Sequence, residues 1–414
     1  MYNINSFKSV DSKKLNTFFS LIDEDYNLAN IPNTILYNFG FKNKKTLPID
    51  VLGKEKKYKK VVLLVIDAFG YDSFEKYHHH SKFLTKVVKE GIVSKLTTQF
   101  PSTTTSNITT FQTGLPISQT GVIEWFYYEP YIDGIFSPLI YRKAGSKDIL
   151  NVDASKFLPK TSLYEKININ SYVFQYPLFN NGPYAKWFMR GSKKIDFENL
   201  DEGLHKLKHA LQNEEEAYYY FYHSDYDELC HNYGPNSIEA KNCLLSIFKS
   251  IDNFFLKIDS LNIHDTIFLI TADHGQTTVK KENTVYLNIE YPEILPHLKK
   301  DRFGNYLAPS GSFRDMFLYV KKESINYVHQ FLRVKLQKKA EVYKVKTLID
   351  LGMFGNSKIS DRFLNRIGDI VILPYKDEAV WWYELNKYMV KHRGMHGGLT
   401  KEEMEIPFIV YKKD

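Results

Sequence analysis

The run VVLLVIDAFG, Val61 to Gly70, constrains the fold more than any other stretch. Six consecutive apolar residues lead into Asp67, and Gly70 follows. A strand with no polar face must be buried on both sides, as in a parallel sheet covered by helices. The pattern recurs twice. AYYYFYHSDYDELCH, from Ala217, is a second apolar run that ends in acids, and TIFLITADHG, from Thr266, ends in Asp273-His274-Gly275. Between these two runs, after the break Gly234-Pro235-Asn236-Ser237, the residues Ile238, Leu244, Leu245, Ile247, Phe248, Ile251, Phe254, Phe255 and Ile258 keep helical spacing. Strands alternating with helices predict an α/β fold with a mostly parallel central sheet and helices on both faces.

The rest of the chain divides by texture. Residues 1–58 read as a polar N-terminal extension with short helices, ending in the basic run KEKKYKK. Residues 59–280 and 391–414 carry the strand–helix alternation and form the predicted core. Residues 281–390 hold FRDMFLYV, INYVHQFLRVKLQ, AEVYKV and GDIVILPY, a strand–helix–strand pattern that predicts a smaller α+β cap inserted in the core. WFYYEPY, residues 125–131, reads as a further cap or rim element, and its Trp125, Tyr127 and Tyr128 could stack on a base or aryl group of a substrate.

Composition excludes several classes. With 43% apolar and 25% charged residues the chain is globular, not disordered. The 55 basic and 48 acidic residues leave +7, which suits an anionic substrate but is by itself no nucleic-acid footprint; a nucleic-acid role stays open, because diesters include oligonucleotides, but no basic stripe with interleaved aromatics supports it. Cys230 and Cys243 supply no disulfide framework, which suits a reducing compartment. The N-terminal residues lack a leader's apolar core, and the longest clean apolar run is far short of the roughly 20 residues that span a bilayer. These features predict a soluble, cytoplasmic protein. Nothing in them fixes an oligomeric state.

In open α/β sheets, ligands bind beyond the carboxyl ends of the strands. Parallel neighbours would bring Asp67, the Asp225/Asp227 pair and Asp273 to one edge. Asp227 and His231 are four apart, one helical turn, so both can face one point. His396 lies in the Gly-flanked loop RGMHGGLT before the last apolar run. The set Asp67, Asp227, His231, Asp273, His274 and His396 is mixed carboxylate and imidazole without thiolate, which suits Zn²⁺ or Mn²⁺. With one shared hydroxyl it suffices for two ions about 4 Å apart, the arrangement that clamps displacement at phosphorus. The run His78-His79-His80 reads as a surface helix start and is left out.

FPSTTTSNITTFQTG, Phe100 to Gly114, supplies the hydroxyl. Asn107 to Thr113 reads as a helix closed by Gly114, so the hydroxyls at 102–106 sit at its N-terminus, where backbone N–H groups stabilise anions. A threonine there could attack phosphorus, and Asn107 could donate to a non-bridging oxygen.

VVLLVIDAFG, FPSTTTSN…TG, DELCHNYGP, TADHG and MHGGLT together resemble, in content and order, the motifs of the alkaline phosphatase superfamily, and most closely its type I phosphodiesterase/nucleotide pyrophosphatase branch. They span residues 61 to 414. The resemblance implies that Thr104, third after Pro101, is the nucleophile, with Thr103 its nearest rival. It implies one metal on Asp67, Thr104, Asp273 and His274 and a second on Asp227, His231 and His396. Asp225 is excluded, because only Asp227 stands four residues before the histidine of HNYGP. Asn107 matches the family's phosphate-oxygen donor, and members are typically di-zinc enzymes. Thr120 stands where many relatives have a histidine before Gly121, and a structural role is expected for it. The implied function is a di-metal hydrolase cleaving phosphodiester or nucleotide pyrophosphate bonds through a phospho-threonine. The alternatives are a phosphomonoesterase or phosphonate hydrolase on the same metal frame and, more remotely, a non-catalytic binding protein with this fold. A sulfatase is excluded, since no Cys or Ser is followed by X-Pro-X-Arg. Three carboxylates and one alkoxide balance two divalent ions, and no Arg or Lys lies between Pro101 and Gly114, so the expected substrate is a small phosphodiester or nucleotide. A monoester would draw its extra cation from the Lys and Arg of the cap.

Overall fold

The structure is a computed structural model and describes residues 1–42 and 45–414. Seven strands make the central sheet: β1 Lys60–Ile66, β2 Ile92–Thr97, β3 Asn170–Gln175, β4 Lys193–Asp196, β5 Ala217–His223, β6 Thr266–Thr271 and β7 Glu405–Lys413. Their spatial order is β2-β7-β6-β1-β5-β3-β4. The contacts β6 to β1, β1 to β5, β5 to β3 and β3 to β4 are parallel, whereas β7 runs antiparallel to both β6 and β2. The sheet is therefore mostly parallel with one reversed strand.

The three runs singled out in the sequence are the three adjacent strands β6, β1 and β5, each buried on both faces. Val61 pairs with both Tyr218 and Ile267, and Val65 with both Tyr222 and Thr271. This level register brings the three strands to their carboxyl ends together, and the acids that follow them arrive at one edge. The crossover after β5 contains α2 Asp225–Tyr233 and α3 Ile238–Ser260. The Ser237 side chain caps α3 by accepting from the Ala240 N–H, and α3 buries Leu244, Ile247, Phe248, Ile251, Phe254, Phe255 and Ile258 as its periodicity predicts. The loops after β1 and β6 touch back to back. A Cβ on Gly70 would lie 2.8 Å from the Gly275 Cα, and one on Gly275 would lie 2.1 Å from the Glu402 carbonyl oxygen, so only glycine permits this crossing.

Residues 1–58 form the short helices expected, Ile4–Ser12 and Ile31–Asn38, but they are not a loose extension. Leu28, Ile31, Ile35 and Val51 are buried in the same core as β1, and bridges Tyr2 to Val93 and Asn27 to Thr97 run along β2. In the 281–390 segment, Met316–Leu318, Ile370–Pro374 and Ala340–Lys344 form an antiparallel sheet, with the helix Ile325–Leu336 between its strands in sequence. Phe317, Val371 and Leu373 pack with Ile123, Tyr127 and Phe136 in a second apolar core. Residues 127–143 add a further small sheet on that side. Among the described residues, no helix is long and apolar enough to cross a membrane.

Candidate active site

Thr104 opens the helix α1, Thr104–Thr113, which Gly114 closes at φ 66°. The helix begins three residues earlier than its sequence reading, so Thr104 sits on the first turn, where N–H groups lack intrahelical acceptors. Its Oγ1 lies 2.9 Å from the His274 Nε2. Thr103 is the extended residue before the helix and is fully buried. The geometry thus brings Thr104, and not its rival, to the frame.

Around that hydroxyl the carboxylate and imidazole side chains form two groups. The ligand atoms of Asp67, Asp273 and His274 lie within 4.8 Å of one another, as do those of Asp227, His274 and His396. The His274 Nε2 is 3.4 Å from the Asp67 Oδ1 and 3.3 Å from the Asp273 Oδ2. The His231 Nε2 is 3.2 Å from the Asp227 Oδ2, and the His231 ring centre is 5.2 Å from that of His396. His274 and His396 stack at 3.7 Å and join the two groups. All six expected ligands and Thr104 converge.

Each imidazole is held the same way. The Nδ1 atoms of His231, His274 and His396 lie 3.0, 3.0 and 3.1 Å from the carbonyl oxygens of Gly394, Gly275 and Ser102. A carbonyl can only accept, so each Nδ1 carries its hydrogen and each Nε2 is turned toward the frame. This is the usual orientation of metal-ligating histidines.

Burial, then the charges of Asp273 and Asp227, push the Asp67 carboxyl well above the ordinary range, and burial raises Asp273 as well. Burial opposes ionisation of Asp227 too, but His231, His396 and His274 outweigh it and hold this carboxyl low. Burial and His274 push His396 well below the usual imidazole value. Asp67 Oδ1 and Asp273 Oδ2 are buried without a hydrogen-bond partner. Orphaned carboxylate oxygens beside imidazole nitrogens fit divalent cations.

Asn107, expected to donate to a phosphate oxygen, is fully buried. One N–H of its amide donates to the Asp273 carbonyl at 2.9 Å and its Oδ1 accepts from Gln99 at 3.1 Å, so it ties the end of β6 to α1 and keeps a second amide N–H. Two other expectations need correction. Tyr127, expected to stack on substrate, is fully buried, 5.9 Å from Phe136 and 5.0 Å from the Arg366 guanidinium. Tyr128 is half-buried, packs edge-on against Tyr319 and donates to Asp133 at 2.9 Å, so its ring and hydroxyl are engaged within the protein. Trp125 is half-buried and remains available. Asp225 accepts from Tyr176 at 2.7 Å and stays outside both groups, as expected. Thr120 is buried with its Oγ1 accepting from the Val122 N–H at 3.3 Å, a structural role.

Residues not singled out in the sequence complete the frame. The Tyr222 hydroxyl donates to Asp67, and the Gln276 amide donates to Asp227, fixing both carboxylates. The His392 ring lies 4.8 Å from His231; burial and that neighbour push it down to about 4, which keeps it neutral. Gln276 directly follows the DHG triplet and was findable there. Tyr222 is one of four tyrosines in β5, and nothing local marks it.

Fold and site define an α/β protein with a threonine at a helix N-terminus inside an Asp/His cluster of metal-ligand type. The chain belongs to the type I phosphodiesterase/nucleotide pyrophosphatase family, whose model matches residues 61–399. Ectonucleotide pyrophosphatase/phosphodiesterase family member 3 of Rattus norvegicus is 21% identical over 274 residues, 64% of this chain and 30% of its own length. The chain therefore spans less than a third of that relative. Among solved structures, murine ectonucleotide pyrophosphatase/phosphodiesterase 5, an inactive threonine-to-alanine variant in complex with AMP, aligns with TM-score 0.63 at 16% identity over 85% of this chain and 88% of its own. Phosphonoacetate hydrolase from Sinorhizobium meliloti 1021, in complex with phosphonoformate, aligns with TM-score 0.58 at 16% identity over 85% and 89%. At these identities the two structures establish the fold.

Proposed function

We propose that the protein is a two-metal phosphodiesterase or nucleotide pyrophosphatase that turns over through a phospho-threonine at Thr104. The observation that carries this is the Thr104 Oγ1 on the first turn of α1, 2.9 Å from His274 and within the Asp/His frame. Asp67, Thr104, Asp273 and His274 would hold one ion and Asp227, His231 and His396 the other, with Zn²⁺ the best match to the donors and Mn²⁺ the alternative. Bound there, such ions polarise phosphoryl oxygens and make a hydroxyl or water a better nucleophile.

The chain's own groups do the rest. Thr104 Oγ1, its proton released to solvent, attacks phosphorus, forming the Oγ1–P bond as the bond to the leaving oxygen breaks; that oxygen departs with the electron pair and takes a proton from water. The N–H groups of the first turn of α1 stabilise the charge on the oxygen before attack. Water then breaks the Oγ1–P bond and restores the hydroxyl. Tyr222 and Gln276 keep Asp67 and Asp227 oriented throughout. We assign the core to residues 59–280 and 391–414 and the cap to 281–390.

Among the described residues, no Lys or Arg forms an ion pair with Asp67, Asp227 or Asp273. A frame neutralised only by its metals favours the single charge of a diester over a monoester dianion. The AMP complex of the murine relative supports a nucleotide as the substrate fragment. The test compares turnover of a bis-aryl phosphodiester with that of the matching aryl monoester, after loading with zinc or manganese and again after chelation. The expected result is about tenfold or greater diester preference in kcat/KM, abolished by the chelator. Monoester preference would overturn the diester assignment, and activity that survives chelation would overturn the metals.

The aromatic surface expected from Tyr127 and Tyr128 is better supplied by Phe179, with the aliphatic Leu178 beside it. Leu178 is 82% exposed, and Phe179, also exposed, has its ring 5.9 Å from that of Tyr222, which touches Asp67. Stacking of a base on an aromatic ring contributes about 1–3 kcal/mol. Phe179→Ala should therefore raise KM about tenfold for a nucleotide diester while leaving a small alkyl diester unaffected. Steady-state kinetics on both substrates check this.

A further inference from the structure

A cavity of about 400 Å³ lies at the far end of the nucleophile helix. Gly114 and Pro116, which follow α1, form one side of it, Asn30 and Asn33 of the N-terminal segment a second, and residues 353–357 a third. α1 rises about 15 Å from Thr104 to this end, and none of the six frame ligands lines the cavity. The cavity is therefore separate from the Asp/His frame.

Two carboxamides on its wall lack partners. Asn33 is nine-tenths buried, and its Oδ1 has no hydrogen-bond partner. A Cβ on Gly114 would lie 3.8 Å from that oxygen, which sets it beside the end of α1 on the cavity wall. The Gln119 side chain is half-buried and makes no hydrogen bond among the described residues. Neighbouring amides are engaged. Asn30 donates to the carbonyls of Glu24 and Asp25 at 2.8 and 2.9 Å, Gln99 donates to Thr110 at 2.8 Å, and Asn356 donates to Glu24. A buried polar group left without a partner is costly, so the Asn33 amide calls for an occupant.

Water is the rival occupant, but Ile22, Pro116, Met353 and Phe354 line the same cavity, and water there would face carbon on that side. A carboxamide offers a donor and an acceptor side by side, the complement of the adjacent acceptor and donor on a purine edge. The volume lies within the range of small-ligand sites. Charge narrows the ligand further. Lys45, the one cation among the described lining residues, is paired with Glu24 at 3.5 Å and Asp25 at 3.0 Å, so a phosphate would find no free positive charge. We propose that this cavity is a second binding site, for an uncharged purine base or nucleoside, with Asn33 and Gln119 reading the ring edge and the apolar wall covering its face. The wall is joined to the frame: Gln99 donates to the Asn107 Oδ1 at 3.1 Å, and Asn107 donates to the Asp273 carbonyl at 2.9 Å. A ligand here would therefore fasten the N-terminal segment and residues 353–357 around the helix that carries Thr104.

The test is binding, so it rests neither on turnover nor on the phospho-threonine. Zinc-loaded protein is titrated with adenosine, and separately with guanosine, by calorimetry. The expected result is a saturable site for one of them in the wild type, at least about tenfold weaker in Asn33→Ala and in Gln119→Ala and unchanged in Phe179→Ala. No saturable binding of either nucleoside by the wild type overturns the proposal. So does binding that survives both carboxamide variants, and its loss in Phe179→Ala would then locate the nucleoside at the frame. If Asn33→Ala fails to fold, Gln119→Ala, at a half-buried position, decides. A wild type that takes up no zinc would count against the two-metal frame and leave the nucleoside titration readable.

Discussion

Thr104→Ala lowers kcat by about 10⁴-fold or more, while the protein still folds and still takes up metal. That is the expected outcome if Oγ1 forms the covalent bond to phosphorus. The rest of the apparatus survives the substitution: the imidazoles are oriented by carbonyls of Gly394, Gly275 and Ser102, none of which involves the Thr104 side chain. Thr104→Ser keeps a hydroxyl on the first turn of α1 and should retain measurable turnover. The comparison requires kcat on a diester together with zinc content for all three proteins. Loss of activity with loss of metal would recast Thr104 as a ligand only. An alanine variant with most of its activity would move the nucleophile elsewhere, and Thr103, buried and facing Glu124, is poorly placed to inherit the role.

What could be read from the sequence, and what could not, follows from how local each signal is. Asp67, Asp227 and Asp273 follow runs that are apolar on both faces, so the strand, its burial and the acid at its end lie within a dozen residues. His231 was legible through its spacing from Asp227, and His274 through its adjacency to Asp273. The partners of Asn107, Gln99 and the Asp273 carbonyl, were not legible, because they are set by how α1 packs on β6. The aromatic run at 125–131 looked like a rim, yet Tyr127 is buried by Arg366 and Phe136, and no local pattern announces an arginine so distant in sequence. The reversal of β7 was equally invisible, since an apolar run does not state its direction. The polar average of residues 1–58 concealed Leu28, Ile31 and Ile35, which are spaced to form one buried face.

Arg314→Ala should be strongly destabilising and should also loosen the metal frame. The guanidinium is fully buried and forks onto Glu403, with Nε and Nη2 each donating at 3.1 Å, while Nη1 donates to the carbonyls of Tyr375 and Glu378 at 2.7 and 2.8 Å. Glu403 in turn accepts from the Gly398 N–H at 3.0 Å and the Thr400 hydroxyl at 2.6 Å, so one ion pair joins the 281–390 segment to the loop that carries His396. Removing one partner of a buried pair leaves the other charge uncompensated, at a cost of about 3–5 kcal/mol. Denaturant unfolding of the variant should show a loss of that size. Zinc content should fall on the His396 side, because the loop that orients this ring loses its anchor. The double variant Arg314→Met/Glu403→Leu separates the two effects. With no charge left buried, most of the stability should return. Zinc retention should not return with it, because Gly398 and Thr400 have lost their acceptor. If stability and zinc recover together, the ion pair is a structural fastening with no hold on the site. If stability returns alone, the pair positions His396 from within the cap.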